Sequence, residues 1–374
     1  MIMPLIIGHY VYTLGFSATA VAFALTIRYF SQQGLAMFGG ALADRFDVRA
    51  LISIGVLLRV IGFVSLAFTK NFPFLLVSMV LIGFGGVLFE VPYQTAIANL
   101  TTEENRSRYY SLNNTIIGLA STVGPLLGVL LLRLDFGTVC FSAAFCFMVT
   151  FIISRFAMPA IVRSKPSYSV ASSLKAVAKD RSFLMFVLLM IVFWLPASQI
   201  NITFPLKVQE ISGSADGVGM MWAVYAAVTA VLQYPLVSLM LRKYTSRQIV
   251  VIGISLITGS LLLVSFVSTT YTFLAVVVLF ALGMLLARPN QQTIAVAMAD
   301  SQAIGMYLGV NSLGFALGSG LGTIIGGVFF DLAKKTALST LPWFLFGAIA
   351  IIAMLGFILN KEIGQPRIAT GAIE

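Results

Sequence analysis

Apolar residues in this chain run in long blocks and do not alternate with polar ones. Blocks long enough for a membrane-spanning helix, which needs about 20 mostly apolar residues, occupy 17–40, 51–69, 73–98, 109–132, 138–159, 182–206, 217–241, 248–268, 271–298, 304–330 and 341–360. They are too continuous for the strands of a membrane barrel. The pattern predicts an all-α membrane protein with about 11 complete transmembrane helices. The longest polar stretch, 160–181, is rich in Ser, Lys and Arg and is expected to be a cytoplasmic linker with a short amphipathic helix at Ser172–Lys179. It separates a first half, 1–159, from a second, 182–360, with 361–374 as a cytoplasmic tail. Met1–Ile7 is apolar but short, and lacks the basic start and apolar core of a signal peptide. It is expected to be the outer end of a helix whose first part, roughly 20 residues, lies upstream of Met1, through a misassigned start or a truncated gene.

Composition agrees. Of 374 residues, 59% are hydrophobic and 10% charged, against roughly 25% charged in a soluble domain, and the mean hydropathy is +1.00. The net charge of +10 is not a nucleic-acid footprint, because the basic residues form short clusters between apolar blocks. If 41–50 is cytoplasmic, fifteen Lys and Arg fall inside and five outside, the bias of cytoplasmic loops. Cys140 and Cys146 share one apolar block, and His9 is the only histidine. No metal site or cofactor is expected, and without a HExxH, P-loop or GxSxG motif no enzyme is either.

The two halves repeat at an offset of 198 positions. Arg49 meets Arg247, Gly55 meets Gly253, Gly85 meets Gly283, Thr95 meets Thr293 and Tyr109 meets Tyr307. Asn113 meets Asn311, Gly124 meets Gly322 and Gly128 meets Gly326. Parallel repeats of this kind are one architecture of secondary transporters.

Three groups of residues carry candidate chemistry. The first is the loop Gly40-Ala-Leu-Ala-Asp44-Arg45-Phe-Asp47-Val-Arg49. Its glycine permits close helix approach, Asp44 can face a helix N-terminus, and Arg45 and Arg49 can hold the cytoplasmic side closed. The second is Gly118-Leu-Ala-Ser-Thr-Val-Gly124-Pro125-Leu-Leu-Gly128, a small-residue stripe with a bend, suited to tight helix packing. The third is charge inside the spans. Glu90 is the only one of the thirteen acidic residues well inside a span. A carboxyl placed there can take up and release a proton near neutral pH. Its expected partners are Arg28 and Arg288, the latter its repeat mate, while Arg59 is read as a peripheral side chain that snorkels. Tyr93, Gln94, Asn113, Trp194, Gln199, Asn201, Tyr225 and Gln291 are candidate walls of a substrate cavity, with helix–helix contact as the alternative for each.

The Gly40–Arg49 loop resembles the signature loop of the major facilitator superfamily, with Asp47 and Val48 as departures. The Gly124-Pro125 segment resembles the superfamily's antiporter motif. The runs Arg28–Phe46, Gly85–Pro92, Arg108–Leu112 and Leu341–Trp343 are similar to those of the MdtH-type multidrug-resistance family. Nearly the whole chain takes part. The resemblance implies two six-helix halves with helix 1 mostly missing, in the drug:proton antiporter branch. It also implies the inner membrane of a bacterium. A monomer surrounded by lipid that exchanges small amphipathic molecules for protons is expected. A nutrient or metabolite carrier of the same fold, or a truncated remnant, is the alternative. Related antiporters place an acid where this chain has Asn99, so the relay that pairs it with the signature loop is not expected here.

Overall fold

A computed structural model describes residues 3–36, 39, 42, 46–100, 116–117, 120, 123–124, 127–159, 170–300, 304–336, 340–360 and 362–363. Thirteen α-helices are described: α1 (Met3–Gly8), α2 (Ala18–Tyr29), α3 (Val48–Ala67), α4 (Phe72–Leu100), α5 (Phe136–Phe156), α6 (Val170–Lys179), α7 (Arg181–Ala197), α8 (Thr203–Ser212), α9 (Asp216–Leu241), α10 (Ser246–Val264), α11 (Thr270–Met298), α12 (Ile304–Thr336) and α13 (Leu341–Leu359). Among the described residues nine helical segments are long and apolar enough to cross a membrane. The apolar block at 17–40 is helical from Ala18, with a π turn at Phe30–Gly34. The block at 109–132 lies largely outside the described residues.

Helix starts follow side-chain chemistry, since the first N–H groups of a helix lack internal acceptors. Ser17 accepts from Ala20 N–H, Asp47 from Arg49, Asp135 from Thr138 and Asp180 from Phe183. Thr245 and Thr269 form capping boxes with Gln248 and Thr272. The block at 182–206 is not one regular helix. After Pro196 the chain tightens into a 3₁₀ turn, Ser198–Asn201, then resumes as α8 and ends at Gly213, whose φ of +68° favours glycine.

Glycines set the crossings. At the α3–α4 crossing, a Cβ on Gly85 would lie 2.5 Å from the Gly55 carbonyl oxygen. At the α10–α11 crossing, a Cβ on Gly283 would lie 2.7 Å from the Gly253 carbonyl oxygen. The 198-residue offset thus recurs as one backbone-to-backbone contact built twice. Within lipid, such close approach by small residues is what holds helices together. On α12, a glycine stripe faces α7: a Cβ on Gly314 would lie 3.0 Å from Val187 and one on Gly318 2.7 Å from Trp194. Behind it Phe204 packs its ring against Phe273, Phe280 and Trp343 at 5.4, 5.0 and 5.7 Å, the aromatic core of the second half.

The halves meet along α2 and α12. Thr26 donates its hydroxyl to the Gly320 carbonyl at 2.9 Å, and a Cβ on Gly327 would lie 2.8 Å from the Ala18 carbonyl oxygen. Asp331 lies at one end of this seam, which also carries 14–17, 133–135 and 207–215.

Candidate functional site

Glu90 sits on α4 one turn beyond Gly86. There α4 passes both α2 and α3, and the local sequence, Gly83-Phe-Gly85-Gly86, strips side chains from the faces turned toward them. A Cβ on Gly83 would lie 2.7 Å from Ser31 Cβ, and one on Gly86 would lie 2.7 Å from Gln32 Cγ and 2.8 Å from Arg59 Nη2. Two long polar side chains therefore reach Glu90 across those glycines. Arg59 Nη2 lies 3.3 Å from Glu90 Oε1, and Gln32 Nε2 donates to the same oxygen. Gln32 in turn accepts from Arg28 Nη1 at 2.9 Å. Gln32 belongs to the π turn Phe30–Gly34, a local departure from α geometry of the kind found at functional sites.

The pair is asymmetric in exposure. The Arg59 side chain is 12% exposed and that of Glu90 43%. The carboxylate is open to an ion or ligand while its cation is held in place. Arg59 also lies 5.4 Å from the ring centres of Phe89 and Phe147, which shelter the guanidinium on its far side. The Nε atoms of Arg28 and Arg59 are buried without a hydrogen-bond partner.

The identity of the partner departs from the sequence expectation. Arg59 does not snorkel at the periphery; it is the direct ion partner of Glu90, because Gly85 and Gly86 clear its path. Arg28 reaches Glu90 only through Gln32. Arg288 is exposed on α11 near Tyr225 of α9, and no ion pair joins it to Glu90.

An aromatic wall continues from this cluster into the second half. Arg28 lies 4.3 Å from the Tyr29 ring centre, Tyr29 packs edge-on to Phe315 of α12 at 6.3 Å, and Phe315 packs edge-on to Trp194 of α7 at 4.6 Å. Tyr93 stacks on Phe89 at 5.3 Å. Tyr225 packs against Trp222 at 5.5 Å. Gln291 is buried with its Oε1 lacking a hydrogen-bond partner, and Asn201 is half-buried at the end of the 3₁₀ turn.

Gln199 is placed elsewhere. It is fully buried between α7 and α12, where Nε2 donates to the carbonyls of Leu195 and Gly322, both at 2.9 Å, and Oε1 accepts from the Thr203 hydroxyl at 3.2 Å. With its amide saturated in a helix interface, it is a packing contact.

Of the loop residues, Arg49 is described: its N–H donates to Asp47 Oδ1 at 3.1 Å and its Nε lies 3.6 Å from Oδ2. Asp47, the departure from the signature pattern, therefore caps α3 and partners Arg49. Gly40, Asp44 and Arg45 lie outside the described residues, as do Pro125 and Asn113 and the side chain of Gln94. Gly124 and Gly128 are helical. Their repeat mates Gly322 and Gly326 face α7 and the 3₁₀ turn after it, against Leu195 and Gln199. Among the described residues no cluster of His, Cys, Asp and Glu could hold a metal ion.

The profile of the Major Facilitator Superfamily matches the chain at residues 1–213 and again at 182–371. The "Multidrug resistance protein MdtH" of Photorhabdus laumondii subsp. laumondii is 33% identical over 373 residues, covering 100% of this chain and 92% of that protein. The MdtH of Yersinia pestis is 34% identical over 356 residues, covering 95% and 89%. Among solved structures, the peptide transporter POT superposes with a TM-score of 0.78 at 14% identity, covering 97% of this chain and 91% of that one. The nucleoside transporter NupG superposes with a TM-score of 0.75 at 13% identity, covering 96% and 94%. At such identities these structures speak for the fold alone.

Proposed function

Because the chain belongs to the Major Facilitator Superfamily, we propose that it is a secondary active transporter that exports small amphipathic, drug-like molecules in exchange for protons. The substrate class rests on its likeness to the MdtH multidrug resistance proteins over its whole length. The proton link rests on one observation: Glu90, a partly open carboxylate within an apolar helix, shares one oxygen between Arg59 and Gln32.

The cycle runs through that oxygen. A proton delivered to Glu90 neutralises the carboxylate and removes the charge that holds Arg59, which stays beside the Phe89 and Phe147 rings. Gln32 loses its charged acceptor, and the change passes through Arg28 to α2, the helix that forms the seam with α12. Protonation is thereby coupled to the interface that alternating access must rearrange. Release of the proton on the other side restores the pair. Tyr29 and Phe315, partly exposed and backed by the buried Trp194, offer apolar surface to a planar or amphipathic substrate.

The setting is the inner membrane of a bacterium, with residues 41–50 and the C-terminus cytoplasmic, on the strength of the basic residues crowding that side. Each chain carries both halves of the seam and acts as a monomer. Dye efflux from everted vesicles under an imposed proton gradient tests the reading. The parent chain is expected to transport, and Glu90→Gln to fold normally while losing pH-driven efflux. Undiminished efflux by the variant would remove Glu90 from the coupling.

A further inference from the structure

We infer that Asp331 and Arg133 are repeat-related clamps that hold one end of the bundle shut and have to release whenever the halves part there. The inference rests on the alternating-access reading above and adds the residues that oppose opening.

Asp331, near the end of α12, accepts three hydrogen bonds from the start of α2 in the other half. Its Oδ1 accepts from Ala18 N–H at 3.1 Å, and its Oδ2 from Thr19 N–H at 2.9 Å and the Thr19 hydroxyl at 2.7 Å. Those N–H groups have no acceptor within α2, and the positive end of the helix favours an anion. The cap comes from outside the half it caps. A cap within one half survives any rigid movement of the halves, whereas this one is broken by their separation.

The same construction occurs at the positions 198 residues away. The repeat mate of Asp331 is Arg133, and that of Ala18 is Asp216, the first residue of α9. Arg133 Nη2 lies 3.6 Å from Asp216 Oδ1, again joining the end of one helix to the start of a helix in the other half. The layer beneath is similar. A Cβ on Gly327 would meet Ala22 Cβ at 2.8 Å, and its repeat mate Val129 lies 2.8 Å from where Gly219, the neighbour of Ala22's repeat mate Met220, would carry a Cβ.

The clamps differ in strength. Asp331 is half-buried and binds two rigid backbone donors. Arg133 and Asp216 are 68% and 56% exposed, and an exposed pair of long side chains contributes little. The Asp331 clamp therefore dominates the resistance to opening.

Spin labels on Lys70→Cys and Ser268→Cys, exposed loop positions at that end, read the opening directly, with Cys140 and Cys146 replaced by Ala. Pulsed dipolar spectroscopy in lipid nanodiscs, without substrate or a pH gradient, gives the fraction of molecules at the longer separation. Asp331→Asn is expected to raise that fraction about tenfold, as loss of charge-assisted hydrogen bonds predicts. Arg133→Gln is expected to change it less than about twofold. Gly327→Ala crowds the same seam with Asp331 left in place, and is expected to act in the direction of Asp331→Asn should that variant fold poorly. An unchanged distribution in folded Asp331→Asn or, where that variant does not fold, in Gly327→Ala overturns the proposal. A larger effect from Arg133→Gln overturns the assignment of strengths. Failure of the proton-coupling reading would appear only in the efflux assay with Glu90→Gln, so the two are separable.

Discussion

The repeated glycine crossing permits one steric insult to be delivered twice, once where an ion pair depends on it and once where none does. In Gly85→Ala the new Cβ lies 2.5 Å from the Gly55 carbonyl oxygen, 2.8 Å from Arg59 Cγ and 3.0 Å from Arg59 N. In Gly283→Ala it lies 2.7 Å from the Gly253 carbonyl oxygen, 2.7 Å from Ile257 Cγ1 and 3.0 Å from Ile257 N. Backbone atoms cannot step aside, so both helix pairs must separate slightly, and both variants are expected to lose about 1–3 kcal/mol, the usual range for overpacking. Only Gly85→Ala also displaces Arg59 from its 3.3 Å contact with Glu90. With Glu90 43% exposed, that contact is weighted nearer to an exposed than to a buried pair, at about 1 kcal/mol. An energy of about 1 kcal/mol is roughly fivefold in an equilibrium. Gly85→Ala is thus expected to fall about fivefold further than Gly283→Ala in pH-driven dye efflux, with thermal midpoints in detergent lowered alike. Equal efflux losses at equal stability would refute the claim that this crossing serves the ion pair. An unshifted midpoint for Gly85→Ala would refute the packing argument itself.

Arg59→Gln is expected to lower pH-driven efflux by about fivefold or more, while Arg288→Gln, away from the carboxylate, keeps it within about twofold; the reverse order in the vesicle assay would reinstate Arg288 as the partner. Gln199→Leu leaves the Gly322 carbonyl without its side-chain donor and the Thr203 hydroxyl with only the Gln199 backbone carbonyl, at 3.4 Å, and is expected to cost about 1–3 kcal/mol of stability. Its substrate Kd is expected to be unchanged, and a weakened Kd at parental stability would return Gln199 to the cavity. At the start of α5, the Thr138 backbone N–H and then its hydroxyl hold the Asp135 carboxyl below its ordinary value of 3.8. A carboxyl with a lower pKa folded than unfolded stabilises above the unfolded value and loses that contribution as pH falls through the folded one. The thermal midpoint of the parent is accordingly expected to drop more steeply than that of Asp135→Asn below about pH 4, and parallel curves would show that the cap carries no such linkage.

The spans and the internal repeat were legible because both are periodic properties of a single strand of text. Apolar block length marks a helix in lipid wherever it packs, and the offset that aligns Gly55 with Gly253 also aligns their crossings in space. The partner of Glu90 was harder to read. Whether Arg59 faces lipid or a neighbouring helix depends on how α3 crosses α4, and block length carries no crossing angle. The signal was nonetheless present in Gly83, Gly85 and Gly86, since three glycines within four positions of an apolar helix mark a face approached by something bulky. Gln199 shows a different limit. A glutamine in a span looks the same whether it lines a cavity or binds a carbonyl across an interface. Only the glycine stripe of α12, which exposes the Gly322 carbonyl to it, tells the two apart. The break in the block at 182–206 was announced by Pro196, but an unbroken apolar run concealed the change from α7 to the 3₁₀ turn and α8.

The two halves keep their shape and invert their charge. Gly55 with Gly85 and Gly253 with Gly283 make one crossing twice, yet the side chain that follows is Glu90 in the first half and Arg288 in the second. The ends of the seam follow the same rule, with Arg133 in one half and Asp331 in the other. Steric likeness gives the two halves the same internal crossing. Charge inversion removes the degeneracy. Were both α4 and α11 to carry a carboxylate, protonation would act on both halves alike and would favour no direction of movement. In the proposed cycle one carboxylate, held by Arg59 and tied through Gln32 and Arg28 to α2, confines the action of the proton to the first half. A ligand shifts a conformational equilibrium only by its differential affinity for the two states. The proposed cycle meets that condition where the Arg59 and Gln32 contacts to Glu90 are made in one state and broken in the other.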